Sequence, residues 1–229
     1  MLESLTISRQ AIERTIRLVT TARLRDSVLN DLVDESELDA LSEIEGATSN
    51  RRMAQARGAG DVPSNQLVYG VPHAHFVNAA FAYAKPREPN RFNGAERGAW
   101  YAGFEVETSL AEVKFHLAQA LAAAGDFYAT VDYAEMFASF AGEFVDLRAH
   151  PAHSSLDPEK TVGYPVGNAL AEAARSRGLN GIIYPSVRNP GGTCLVALFP
   201  HAVQSVAQGS VYRMTWRGQP EPTVQRVKG

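Results

Sequence analysis

The 229-residue sequence predicts an α+β domain that follows a helical N-terminal extension. Three observations support this. Beyond residue 65, strand-like and helix-like segments do not alternate strictly, which argues against a doubly wound parallel sheet. No Gly-x-Gly-x-x-Gly turn follows a strand and no Walker loop is present, so Rossmann-type dinucleotide binding has no support. Before residue 60, apolar residues recur instead at near-helical spacing.

The extension comes first. Ile12, Ile16, Leu18 and Val19, then Leu29, Leu32 and Val33, then Leu38, Leu41 and Ile44 give a helix-rich, polar reading from residue 9 to about 57. Ser36, after Asp34-Glu35, suits a helix N-cap. Residues 57–64 contain Gly58, Gly60 and Pro63 and read as a linker. The organisation is therefore an extension and linker over 1–64, a catalytic-size domain over 65–217, and a polar, frayed tail over 218–229.

Within the domain, Leu67–Val71 and Gly98–Gly103 read as strands, with an apolar, alanine-rich run from His75 to Tyr83 between them. The clearest helix spans Ser109–Ala124. It carries Leu110, Val113, Leu117 and Leu121 on one face and stops at Gly125. Phe127–Tyr133 alternates as a strand should, and Phe144–Leu147 reads as another. A helix over Pro165–Arg177 ends at Gly178. Residues 181–184 and 193–199 form a hairpin around Asn189-Pro190-Gly191-Gly192, and Val211–Trp216 adds a last strand.

Composition narrows the function. Apolar residues make up 45% and charged residues 21%, ordinary values for a globular protein, and the formal charge is −3. No global field draws this chain to nucleic acid or to an anionic membrane. The single cysteine, Cys194, rules out an intrachain disulfide, and its apolar surroundings make it a core filler. No apolar run approaches the ~20 residues that span a bilayer, so the expected location is the cytoplasm.

Five residues carry the chemistry. Arg91, in Asn90-Arg91-Phe92-Asn93-Gly94, offers a planar fork for phosphate or carboxylate, although a surface arginine in a loop would look the same. Tyr101, beside Trp100, could stack on a nicotinamide or adenine ring or simply pack. Glu112 has two competing explanations. Ser109-Leu110-Ala111-Glu112 matches a capping box, yet a carboxylate in that turn could also hold a ribose hydroxyl and stabilise positive charge as a glycosidic bond breaks. Ser186, after Tyr184-Pro185, reads as a substrate ligand or a turn serine, and Arg188 follows it. No Gly-x-Ser-x-Gly elbow supports a serine hydrolase. Glu112, His116 and Gln119 share a helix face, and His73 and His75 lie close together. Neither set supplies a third metal ligand, so no metal is expected.

Taken together, these segments resemble the RES-domain family, named for its arginine, glutamate and serine. The resemblance covers Leu67 to Val203 through Arg91-Phe92-Asn93, Trp100-Tyr101-Ala102, Ser109-Leu110-Ala111-Glu112-Val113 with His116, Gly181–Ser186, Arg188, Gly191-Gly192 and Cys194-Leu195-Val196. It implies an ADP-ribosyltransferase-like fold and cleavage of the nicotinamide–ribose bond of NAD+. NAD+ would be the substrate rather than a cofactor, with inorganic phosphate or water as acceptor. Arg91 would grip the pyrophosphate, Tyr101 would pack on the nicotinamide riboside, Glu112 would stabilise the oxocarbenium-like transition state and Ser186 would orient the substrate. Arg188 would assist on the phosphate side.

The resemblance further implies a toxin neutralised by an Xre-like antitoxin, and a homo-oligomer is expected. A mono-ADP-ribosyltransferase and an inactive NAD- or ADP-ribose-binding module are the alternatives. Two departures stand out. The N-terminal segment is long, and Leu67–Val71 lacks the first-strand arginine of compact members, a role for which Arg23 and Arg25 are candidates.

Overall fold

The computed structural model describes residues 2–21, 62–82 and 89–227. Its seven strands are β1 (Thr6–Thr20), β2 (Trp100–Gly103), β3 (Tyr128–Asp146), β4 (Gly181–Pro185), β5 (Thr193–Ala197), β6 (Gln204–Arg217) and β7 (Thr223–Val227). Among the described residues three α-helices accompany them: α1 (Ala74–Ala82), α2 (Val106–Ala124) and α3 (Lys160–Ser176). The α+β expectation holds. The sheet is mixed, with β3 and β4 parallel and the remaining pairs antiparallel.

Strand order is β1-β2-β5-β4-β3-β6-β7, and β1 also pairs with β3. The first five strands therefore close into a ring, with β6 and β7 continuing from β3. Two features make closure work. β3 is 19 residues long and changes partners, bonding β6 through its first part and β4 through Phe144–Asp146. β1 runs along the other edge of β3 but meets β2 only at Ile16↔Gly103. That narrow junction leaves the ring open on one side, and the cleft lies there.

The helical reading of residues 9–20 is wrong: this stretch is a strand inside the sheet. Ile12 pairs with Phe140 and Thr15 with Ala138, so a bulge inserts one extra residue in β1. The bulge also puts Ile12 and Ile16 on opposite faces of the sheet, Ile12 in the cluster with Phe140 and Ile16 in the cluster under α2, so their i, i+4 spacing imitates a helix repeat without sharing a face. The β-branched residues Thr6, Ile7, Ile12, Thr15, Ile16, Val19 and Thr20 favour the strand, and four of them, Ile12, Thr15, Ile16 and Val19, are buried where branching at Cβ packs well. The readings at Arg23, Arg25, Ser36 and the remaining helical repeats lie outside the described residues.

Other elements also differ from expectation. Leu67–Val71 is not a strand; it follows a short 3₁₀ turn and packs Leu67 and Val68 on the core. The tail is not frayed over Thr223–Val227, which pairs with β6. The segments expected as separate strands at 127–133 and 144–147 are parts of β3. By contrast α2 and α3 form where helices were expected, although both start earlier, at Val106 rather than Ser109 and at Lys160 rather than Pro165. Gly125 ends α2 in the left-handed region at φ 69°, and its N–H caps the carbonyls of the last turn. The apolar stripe Leu110, Val113, Leu117 and Leu121 packs against Ile16, Met214 and Trp216, which fixes α2 across the mouth of the ring. No helix among the described residues is long and apolar enough to cross a membrane.

Candidate active site

A cavity of about 400 Å³ opens between α2, the β1–β2 junction, the Asn90–Asn93 segment and α3. Its walls include Arg17, Arg91, Tyr101, Glu112, His116, Tyr164 and Arg188. Four of the five sequence-predicted residues line it directly. The fifth, Ser186, touches Glu112 from behind.

Arg91 is only 8% exposed. Its Nη1 donates to the carbonyls of Ser155 (2.5 Å) and Asp157 (2.9 Å), and its guanidinium lies 5.4 Å from the Tyr164 ring centre. Two glycines of α3 permit this. A Cβ on Gly167 would come within 2.0 Å of the Arg91 carbonyl, and one on Gly163 within 2.8 Å of its Nη1. The bare face they leave lets the Arg91 segment lie flat on the helix. Asn168 Nδ2 fastens it by donating to the carbonyl of Asn90 at 2.7 Å.

Tyr101 forms the floor of β2. Its hydroxyl donates to Asn93 Oδ1 at 2.8 Å and accepts from the Phe92 N–H at 3.0 Å, so the phenol fixes the loop carrying Arg91 while its ring faces the cavity. Burial raises its pKa well above the ordinary tyrosine value. Cys194, at the back, is buried, and burial pushes its thiol up to about 12; it is an unreactive filler, as expected.

Glu112 is where geometry decides between two readings. The helix begins three residues before Ser109, with Glu105 at the N-cap, so the capping box does not form. Ser109 Oγ instead donates to the Ile16 carbonyl (2.6 Å) and accepts from the Gly103 N–H (3.1 Å), joining α2 to β1 and β2. Glu112 is thereby released from any capping role and projects into the cavity. Ser186 Oγ donates to its Oε1 at 3.1 Å. The same hydroxyl accepts from the backbone N–H groups of Arg188 (3.2 Å) and Asn189 (3.0 Å). With both lone pairs engaged, its one proton goes to Glu112. Burial holds the Glu112 carboxyl above the usual range, while Ser186, then Arg188 and Arg91, pull it back down.

The loop behind this pair is closed by its own backbone. Ser186 N–H donates to the Gly192 carbonyl (2.8 Å), Gly192 N–H to the Asn189 carbonyl (2.9 Å), and Asn189 Nδ2 to Thr108 Oγ1 on α2 (2.9 Å). Arg188 stands out from this loop with its guanidinium 3.5 Å from the Phe115 ring centre, and it donates to the Pro158 carbonyl at 3.3 Å.

Sequence reasoning missed Arg17. It lies on β1 in the cavity wall, donates to the Tyr101 carbonyl at 3.2 Å and lies 5.0 Å from the Trp100 ring centre. The first strand does carry an arginine, but that strand is β1 rather than Leu67–Val71. The β-branched pairs Thr15-Ile16 and Val19-Thr20 on either side of Arg17 were the available signal. Tyr164 and Asn189 gave none, because their roles come from α3 and a loop folding onto distant elements.

The RES domain model matches residues 67–217, which is most of the described chain apart from β1 and β7. The uncharacterized protein y4oC of Sinorhizobium fredii is 25% identical over 193 residues, covering 84% of this chain and 78% of that protein. One chain of the M. tuberculosis MbcT–MbcA toxin–antitoxin complex is 13% identical, with a TM-score of 0.39 and coverage of 89% of this chain and 86% of that one.

Proposed function

The chain belongs to the RES-domain family, and from that membership and the geometry of the cleft we propose that it degrades NAD+ by cleaving the nicotinamide–ribose bond. The observation that carries this reading is the Ser186–Glu112 pair, a carboxylate in the cavity wall that accepts from a serine hydroxyl anchored by two backbone N–H groups. Cleavage of this bond sends its electron pair to the pyridinium nitrogen, so nicotinamide leaves neutral and needs no acid. Positive charge then develops on the ribose. A fixed carboxylate beside it stabilises that charge without reorganising.

The remaining residues serve binding. Arg91 and Arg17 attract the diphosphate, and the Tyr101 ring packs against the nicotinamide riboside end. Ser186 acts through Glu112, holding it in its reactive rotamer. Inorganic phosphate or water attacks the anomeric carbon, with Arg188 on the side of the acceptor. Family membership supports a cytoplasmic toxin held in check by an Xre-like antitoxin. A mono-ADP-ribosyltransferase would use the same carboxylate, and the product distinguishes the two.

Purified protein incubated with NAD+, with and without phosphate, should release nicotinamide, with ADP-ribose 1-phosphate or ADP-ribose as the second product by chromatography. Absence of nicotinamide under both conditions sinks the reading. ADP-ribose bound covalently to protein, with little free product, replaces it with the transferase.

A further inference from the structure

One titratable group in the cavity wall has no part in the scheme above. His116 lies on α2 one turn beyond Glu112, so the two side chains share a face roughly 5–6 Å apart at Cβ. Both line the cavity, and His116 stands at its mouth, exposed on one side. The ring is held in place: its edge meets the Phe115 ring at 5.4 Å between centres, and Arg188 covers that same Phe115.

Cations face it from three further elements. Lys160 opens α3 and donates to Gln119 Oε1, one turn along from His116, at 2.6 Å. Arg188 comes from the β4–β5 loop and Arg91 from the segment before β2. Burial first, then Lys160, Arg188 and Arg91, lowers the His116 pKa, so the imidazole stays neutral to lower pH than a free histidine. A neutral imidazole beside a carboxylate that handles the ribose has one free lone pair to offer. The three nearby positive charges also draw in an anionic acceptor such as phosphate and hold it before it attacks.

We propose that His116 is the general base for protic acceptors and so determines which acceptor the cleft uses. The inference rests on the NAD+-cleaving reading. When water attacks, its oxygen bonds to the anomeric carbon and one O–H bond breaks, its proton passing to the imidazole. The carbon–nitrogen bond breaks with its electron pair going to nicotinamide, and His116 returns the proton to solvent. Phosphate dianion attacks through an oxygen that carries no proton, so it has no need of His116.

The test compares parent, His116→Ala and His116→Gln with NAD+, once in phosphate-free buffer and once in saturating inorganic phosphate. Both variants should lose about 100-fold of phosphate-free nicotinamide release, the smaller end of what a general base contributes. The loss in phosphate should be smaller, so the product ratio at fixed phosphate moves about ten-fold or more toward ADP-ribose 1-phosphate. A merely structural role would lower both reactions together and leave that ratio unchanged; either an unchanged ratio or undiminished hydrolysis overturns the assignment of His116 alone. A parent that releases no nicotinamide overturns the NAD+ reading and this inference with it.

Discussion

The two walls of the cleft are built to different rules. On the β2 wall, Tyr101 has its hydroxyl committed in both directions, to Asn93 and from Phe92, and Arg91 has both Nη1 hydrogens committed to backbone carbonyls. On the α2 wall, Glu112 receives one side-chain hydrogen bond and keeps its remaining acceptor capacity toward the cavity, in surroundings that oppose its charge. The first wall spends its polar groups on shape. The second holds a carboxylate under electrostatic tension. A site that must develop charge only transiently needs both, because a reactive group is useful only against a surface that does not move.

Removing the charge from the α2 wall is the largest expected effect. Glu112→Gln keeps the volume and an oxygen to accept from Ser186, yet nicotinamide release should fall about 10³-fold. Stability should move the other way. A carboxyl whose folded pKa is raised binds its proton more tightly folded than unfolded, so the parent loses stability as pH rises through that value. The glutamine variant lacks this slope, and its neutral-pH stability should gain up to about 1 kcal/mol, a common size for removing a strained functional group. Thermal melts across pH check the sign; a variant less stable than the parent at neutral pH would mean that the carboxylate is better satisfied than its burial implies.

The β2 wall predicts the opposite profile. Tyr101→Phe leaves the ring but orphans the Phe92 N–H and one Asn93 contact, both shielded from solvent. The loss should be about 2 kcal/mol, or roughly 4–8 °C in Tm for a chain of this size. Activity should suffer mainly through a weaker KM for NAD+ as the Arg91 segment loosens. If kcat collapses while Tm holds, the phenol takes part in chemistry and the contrast between the walls is wrong.

The same contrast explains what was legible beforehand. α2 was visible because its apolar stripe follows one uninterrupted period, and its end was visible because a glycine in the left-handed region is a common helix stop. β1 was misread because a bulge at Glu13-Arg14 breaks the two-residue alternation, so the apolar residues on either side of it fall at helix-like spacing. That error hid Arg17, and with it the first-strand arginine. Glu112 could not be settled from sequence at all. Ser109 followed by Glu112 three residues later fits a capping box in any helix that starts at Ser109. In the fold the helix starts at Val106 with Glu105 at the N-cap, and the Ser109 hydroxyl goes to the Ile16 carbonyl, 93 positions away.

Ser186 stands between the two walls in kind, and its variant has the smallest expected effect of the three. It is a backbone-anchored loop residue, like the members of the β2 wall, but what it anchors is the carboxylate. Ser186→Ala removes the hydrogen bond that lowers the Glu112 pKa, so that pKa rises further from the ordinary carboxylate value. The reactive form is the ionised one and is lost as pH falls, so the acid limb of the pH–rate profile should shift to higher pH. At neutral pH kcat should drop about ten-fold, the effect of one charge-assisted hydrogen bond, and part of that loss should recover as pH is raised. An acid limb that stays in place while kcat falls uniformly would show that Ser186 meets the substrate itself, and the β4–β5 loop would then belong to the binding surface rather than to the support of Glu112.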